Sequence, residues 1–146
     1  MVRTAYVVLH DGGRAEDVAQ EAFAQLYVHW RRVSRYDRPE AWVRRIAIRA
    51  AVKMVKRDRM RTTLEHRADP VAEANEAATM DTDLMRAIRE LPPQQRAAVA
   101  FYFEDRPTSE LADILGCSES TAKVHLFKAR KRLAIALGEE EVDDGA

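Results

Sequence analysis

Residues 107 to 133 hold two stretches of helical spacing joined by Gly116-Cys117-Ser118, and few folds accommodate that pattern. Pro107 ends what precedes it, Thr108 can cap a first helix, and Gly116 stands where a helix leaves through a left-handed residue. Ser118 can cap the second helix, with Glu119 favourably placed against its N-terminal dipole. Along that helix Ala122, Leu126, Ala129 and Leu133 recur at offsets of 4, 3 and 4 and so share one face. Ser120, Lys123, Val124, Phe127, Lys128 and Lys131 point elsewhere. One face buries, and the other, strongly basic, can enter a major groove. The segment reads as a helix-turn-helix and points to DNA, the plain alternative being an amphipathic helix of an ordinary bundle.

Charge is distributed in a way that the overall balance hides. The 146 residues carry 24 Lys and Arg against 24 Asp and Glu, a formal net charge of zero that by itself argues against a polyanion as partner. Yet residues 1–63 carry 14 basic against 7 acidic residues, residues 64–90 carry 3 against 7, residues 91–137 carry 7 against 5, and residues 138–146 carry 0 against 5. Two basic blocks are therefore separated by an acidic connector and followed by an acidic tail. The hydrophobic fraction of 47% with 33% charged residues is that of a water-soluble globular protein. Few Gly and Pro beside abundant Ala, Arg, Glu and Leu favour an all-helical fold.

The single Cys117 excludes an internal disulfide and reads as a small turn residue, and four scattered His offer no zinc spacing. No cofactor or metal is expected. The apolar run Ala5 to Leu9 is too short for a signal-peptide core, and no run approaches membrane-spanning length, so a cytoplasmic address is the default. No nucleophile with its base, metal cluster or phosphate-cradling glycine loop is visible, which argues against an enzyme.

Helical spacing runs from about Ala15 to Trp30, with Val18, Phe23, Leu26 and Tyr27 on the apolar side and Asp17, Gln20 and Glu21 opposite. Pro39 favours a helix start, and Glu40 to about Arg59 reads as one long helix. Its stripe is Trp42, Val43, Ile46, Ala47, Ala50 and Met54; Arg45, Arg49, Lys56 and Arg59 lie across from it, with Ile48 and Val52 interleaved. Residues 64–80 lack an apolar stripe and read as a flexible linker. Further helices are expected over Asp81 to Leu91 and Gln94 to Phe103 before the helix-turn-helix. The expected organisation is thus two small helical domains, 1–63 and 81–137, joined by the acidic linker 64–80 and followed by an acidic disordered tail, 138–146.

Two helical blocks with particular words resemble conserved regions 2 and 4 of bacterial sigma-70-type initiation factors, in the extracytoplasmic-function (ECF) group. The first block carries Ala15-Glu16-Asp17-Val18-Ala19-Gln20-Glu21-Ala22-Phe23, Tyr36-Asp37 and Pro39-Glu40-Ala41-Trp42-Val43-Arg44-Arg45-Ile46-Ala47. The second carries Leu91-Pro92-Pro93-Gln94-Gln95-Arg96-Ala97-Ala98-Val99, Glu110 to Ser118, Ser120-Thr121-Ala122-Lys123-Val124 and Ala129-Arg130. Together they cover most of residues 5–137.

The resemblance implies a sigma factor that binds core RNA polymerase, recognises a two-part promoter and starts transcription. It assigns Asp17, Gln20, Glu21 and Phe23 to polymerase, and Tyr36, Arg45, Arg49, Lys56 and Arg59 to the opened −10 strand. It assigns Ser120, Lys123, Val124, His125, Lys128 and Arg130 to the −35 duplex. A cationic groove with stacking platforms suits single-stranded DNA, and Trp42 belongs rather to the apolar stripe. Val124 and Phe127 can touch thymine methyls or another protein, or are singly exposed apolar residues that require no explanation. By family analogy an anti-sigma protein is a further partner.

Two departures stand out. Family members commonly carry Asn where this chain has Arg49, which cannot offer an amide's paired donor and acceptor. The chain also starts inside what is usually a complete first helix, so either the start is truncated or that helix is shortened, and a missing half-helix is expected to weaken polymerase docking. Apart from the resemblance, a dimeric helix-turn-helix regulator and a sigma-derived adaptor without initiation activity are the other readings.

Overall fold

The computed structural model describes residues 1–65 and 82–138; the rest of the connector and the tail beyond Gly138 lie outside the described residues. All regular elements among the described residues are helices: α1 (Val2–Leu9), α2 (Gly12–Val28), α3 (Trp30–Val33), α4 (Pro39–Glu65), α5 (Asp83–Arg89), α6 (Pro93–Phe103), α7 (Thr108–Leu115) and α8 (Glu119–Ala136).

Local chemistry sets the boundaries. The Asp11 carboxylate accepts from the Arg14 N–H at 3.1 Å, the Thr82 hydroxyl from the Met85 N–H at 3.1 Å, and the Ser118 hydroxyl from the Thr121 N–H at 3.1 Å, so α2, α5 and α8 each start on a side-chain cap. At α7 the cap position falls to Pro107, with Thr108 the first helical residue and without a side-chain cap. Gly116 leaves α7 at φ 71°, while its own N–H and that of Cys117 donate to the Asp113 and Ala112 carbonyls. This paired arrangement closes a helix only where a left-handed residue is tolerated.

Helix α4 organises the packing. It lies against α1 and α2 on one side and against α6 and α7 on the other, and α1 also meets α6. One apolar cluster consequently runs through both halves of the chain, from Ala5, Val8 and Val18 through Val43, Ile48 and Val52 to Ala98, Phe101, Leu111 and Ile114. A smaller cluster, Ile88, Leu91, Val99, Ala129 and Leu133, holds α5, α6 and α8 together.

This arrangement alters the expected faces. Ile48 and Val52, read as lying among the cations, are buried, whereas Trp42, Ile46, Ala50 and Met54 are only partly covered. A helix wedged between two layers buries two sides, and its cations are left in what remains. On α2 the core falls to Ala15, Val18, Ala19 and Ala22, while Phe23 and Tyr27, expected inside, are exposed. The two halves meet along α4 and contribute to one apolar cluster.

Phe101 sits at the junction, 2% exposed. Phe101→Ala is expected to destabilise the protein by about 3–5 kcal/mol. Urea denaturation followed by circular dichroism and by Trp fluorescence checks this; since Trp30 and Trp42 lie in the first half and Phe101 in the second, both signals should shift to the same lower midpoint.

Candidate nucleic-acid interface

The residues assigned to DNA and polymerase divide into three sets with different surroundings. On α2, Asp17, Gln20 and Glu21 are exposed and Phe23 is 54% exposed. Tyr27 and Val28 continue the same outward side, and Trp30 opens α3 beside them, all more than half exposed. Sequence reasoning missed this apolar extension because Phe23 and Tyr27 match helical spacing for the core. The disqualifying signal was the run of small residues Ala15, Ala19 and Ala22, which is what close helix packing uses.

The second set is split along α4. Tyr36 and Arg45 line a cleft of about 190 Å³ together with Arg38, Ala41 and Trp42. Its opposite wall is α7, through Glu110, Asp113 and Ile114. Arg49 is turned toward the same helix: its Nε donates to the Ile114 carbonyl at 3.0 Å and its Nη2 to the Asp113 carbonyl at 3.0 Å. Further along, Lys56 is exposed, and the Arg59 guanidinium donates to the Leu91 carbonyl at 2.9 Å. Arg45 and Arg59 are 14 positions apart, roughly 21 Å along a helix. The five residues therefore share a helix and its approach without forming one continuous open groove.

The third set lies on the outward side of α8. Ser120, Lys123, Val124, Lys128 and Arg130 are exposed, and Ala122, Ala129 and Leu133 are buried on the other side as the spacing predicts. The Arg130 guanidinium rests 4.9 Å from the centre of the Tyr102 ring, a cation–π contact that steadies it. His125 is partly covered. Burial, then the charges of Lys128 and Lys56, push its imidazole below the usual histidine range. Lys56 belongs to α4, so cations from the second and third sets approach each other in this packing.

Three further polar groups join the halves and escaped the sequence reading. Arg44, 8% exposed, is paired in the interior with Glu110, and its Nη2 reaches the second carboxylate oxygen at 3.2 Å. Arg96 donates to the carbonyls of Leu91, Arg89 and, across the junction, Val8 at 2.6 Å. Burial and the neighbouring Arg59 and Arg89 lower its pKa to about 10, which leaves it charged at neutral pH. The Thr4 hydroxyl donates to Glu104 at 2.8 Å. Nothing local marks their role at the junction, since the bond that crosses it spans 66 residues for Arg44, 88 for Arg96 and 100 for Thr4.

Comparison with known proteins settles what carries these surfaces. Residues 1–61 match the family model described as Sigma-70 region 2, and residues 81–133 match that described as Sigma-70, region 4. The chain belongs to the sigma-70 family of RNA polymerase sigma factors, in its ECF group.

It is similar to RNA polymerase sigma factor SigV of Bacillus subtilis, 26% identical over 142 residues that cover 96% of this chain and 86% of that one. ECF RNA polymerase sigma factor SigM of Mycobacterium tuberculosis is 34% identical over 112 residues, 71% of this chain and 55% of that one. Among solved structures, the sigma factor RpoE of Bartonella quintana in complex with the anti-sigma factor NepR shares the fold. Its TM-score is 0.73 at 21% identity, over 96% of this chain and 91% of that one. As a sigma factor the protein recognises promoters for core RNA polymerase, so α8 is the second helix of a region 4 helix-turn-helix. No described helix is long and apolar enough to cross a membrane.

The position of His125 gives a pH dependence. Its proton is bound less well in the fold than in the unfolded chain, so its contribution to stability is complete above about pH 6.5 and declines as the pH falls below that value toward the lower folded-state pKa. Thermal unfolding of the wild type should therefore drop more steeply between about pH 6.5 and 5 than that of His125→Gln. Lys56→Ala should narrow the gap between them.

Proposed function

We propose that this sigma factor engages polymerase through α2 and its apolar continuation, and a promoter through α4 and α8. Asp17, Gln20 and Glu21 beside exposed Phe23, Tyr27, Val28 and Trp30 combine charge at a rim with an apolar centre, the make-up of a protein–protein contact. Tyr36, Arg45, Arg49, Lys56 and Arg59 hold the opened −10 strand by phosphate pairing and stacking. Ser120, Lys123, Val124, His125, Lys128 and Arg130 address the −35 duplex, with Lys and Arg on phosphates. The observation that carries this reading is the ordered pair of regions 2 and 4 on one chain, with a cationic, outward-facing α8. The work is done by binding energy without covalent chemistry, in the cytoplasm where the polymerase acts.

A size argument adds a condition. A body of this chain length has a radius of gyration of about 15 Å and is roughly 40 Å across. The −10 and −35 positions lie about 25 base pairs apart, roughly 85 Å of duplex at 3.4 Å per step. A closed body cannot grip both, so promoter binding requires the halves to separate on their connector. A fold shared with a sigma factor bound to an anti-sigma factor supports a partner of that kind for the closed form here as well.

Core polymerase supplied with this protein should start transcription at defined sites on a genomic fragment library; equal output from core alone on every fragment would refute the reading. Within it, Lys128→Ala should weaken duplex binding evenly across sequences and flatten the slope of log affinity against log salt by about one, read from anisotropy titrations at several salt concentrations.

A further inference from the structure

Arg130 is held by the fold without spending its donors. Arg44, Arg49, Arg59 and Arg96 each give N–H groups to carboxylate or carbonyl oxygens of the protein. Arg130, exposed on α8, makes no hydrogen bond or ion pair among the described residues; its guanidinium lies instead over the Tyr102 ring, 4.9 Å from the ring centre. Attraction to a ring face takes no acceptor oxygen, so it restricts the long side chain while the N–H groups remain for a second partner. Arg130 also stands seven positions after Lys123, roughly 10.5 Å along α8 and on the same side of the helix.

The ring is itself anchored. Tyr102 lies in the last turn of α6, which packs directly on α8, and the residue before it, Phe101, is buried. The helix closes immediately afterwards: the Tyr102 carbonyl accepts from the Asp105 N–H at 3.1 Å and the Phe101 carbonyl from the Arg106 N–H at 2.9 Å, with Asp105 left-handed at φ 56°. That closure fixes the backbone from which the ring projects. With 49% of Tyr102 exposed, the ring is not a core element, and its contact with Arg130 stands apart from the packing of the interior.

We propose that Tyr102 is a positioning residue for promoter binding, whose ring holds the Arg130 guanidinium at the edge of α8 so that it meets a phosphate of the −35 duplex already ordered. An arginine that is free in solution loses rotamer freedom when it binds, and one ordered beforehand loses less. Helix α6 thereby contributes to duplex affinity without reaching a base, and the contribution is independent of sequence because phosphates carry none. The proposal rests on the −35 reading of α8, within which it gives Arg130 its support. Lys128, on the same helix but not a partner of Tyr102, supplies the comparison.

The test titrates the full-length chain by anisotropy against a fluorescein-labelled DNA duplex of mixed sequence, with circular dichroism to establish that each variant is folded. Tyr102→Leu should weaken binding by about two- to tenfold, the cost of immobilising one long side chain. Tyr102→Phe keeps the ring and should bind as the wild type does. Arg130→Gln should weaken binding and flatten the slope of log affinity against log salt by about one. Adding Tyr102→Leu to Arg130→Gln should then cost nothing further, whereas adding it to Lys128→Ala should cost its full factor. Equal losses for Tyr102→Phe and Tyr102→Leu would assign the effect to the hydroxyl and overturn the proposal, as would full additivity of Tyr102→Leu with Arg130→Gln. Wild-type affinity in folded Tyr102→Leu, with Lys128→Ala weakened, sinks the positioning role and leaves the −35 reading standing. Wild-type affinity in both Arg130→Gln and Lys128→Ala refutes the −35 reading and the proposal with it. Should the leucine variant lose helicity, Tyr102→Gln takes its place under the same expectations.

Discussion

The burial of α4 on two sides is the constraint from which the rest of the structure follows. A helix with one apolar stripe needs one partner layer, but Val43, Ala47, Ile48, Ala51, Val52 and Val55 together cover too wide an arc for that. α1 and α2 take part of this surface and α6 and α7 take the rest, so the second half of the chain completes a core that the first half cannot finish alone. Several charged groups on α4 then fall in the seams between the layers. That is why Arg44 is interior, why Arg49 and Arg59 find backbone carbonyls of the other half, and why Lys56 comes near α8. The same cations that suit a nucleic acid are the ones best placed to hold the molecule shut.

Much of the fold was legible because its signals are local. Gly116 and Ser118 fix the helix-turn-helix through hydrogen bonds spanning three to five residues, and the buried face of α8 follows from spacing alone. Errors arise where the deciding partner is distant in sequence. Phe23 and Tyr27 fit a core spacing, but the closeness of α2 to its neighbours is set by alanines, which leaves the aromatic rings outside. Ile48 and Val52 were read with the cations because a stripe is drawn for one partner, and α4 has two. Arg44 pairs with a residue 66 positions away, a distance at which neither composition nor periodicity carries information. The outward residues of α8 were placed correctly for the opposite reason: a helix with one buried face leaves no choice for the others.

The charge pattern reads differently once the halves meet. Arg96 is buried yet keeps its proton because three carbonyls replace its water, and one of them, from Val8, comes from the first half. Burial, with Arg59 and Arg89 close by, outweighs the opposing charge of Glu90, so its pKa falls while its bonds to main-chain oxygens remain good. Thr4 with Glu104 repeats the theme at the edge of the junction. Side chains thus bind main chain or each other across the seam at several separate points, which fixes one mutual orientation where apolar contact alone would tolerate several.

That mixture bears on how a sigma factor can be both a stable free protein and a two-handed reader of promoters. An interface made only of residues like Phe101, Leu111 and Ile114 would expose a large apolar area on opening, and the cost would rise with every square ångström. Here the apolar part of the junction is interleaved with groups that water solvates well, so opening returns hydration to Arg44, Glu110, Arg49 and Arg96 even as it uncovers Phe101. The balance is shifted by anything that competes for these groups. A phosphate backbone competes for Arg49, and a protein surface that covers the uncovered apolar residues removes the remaining penalty. Polymerase and promoter can therefore act together to open the molecule, each removing the part of the cost that the other cannot reach.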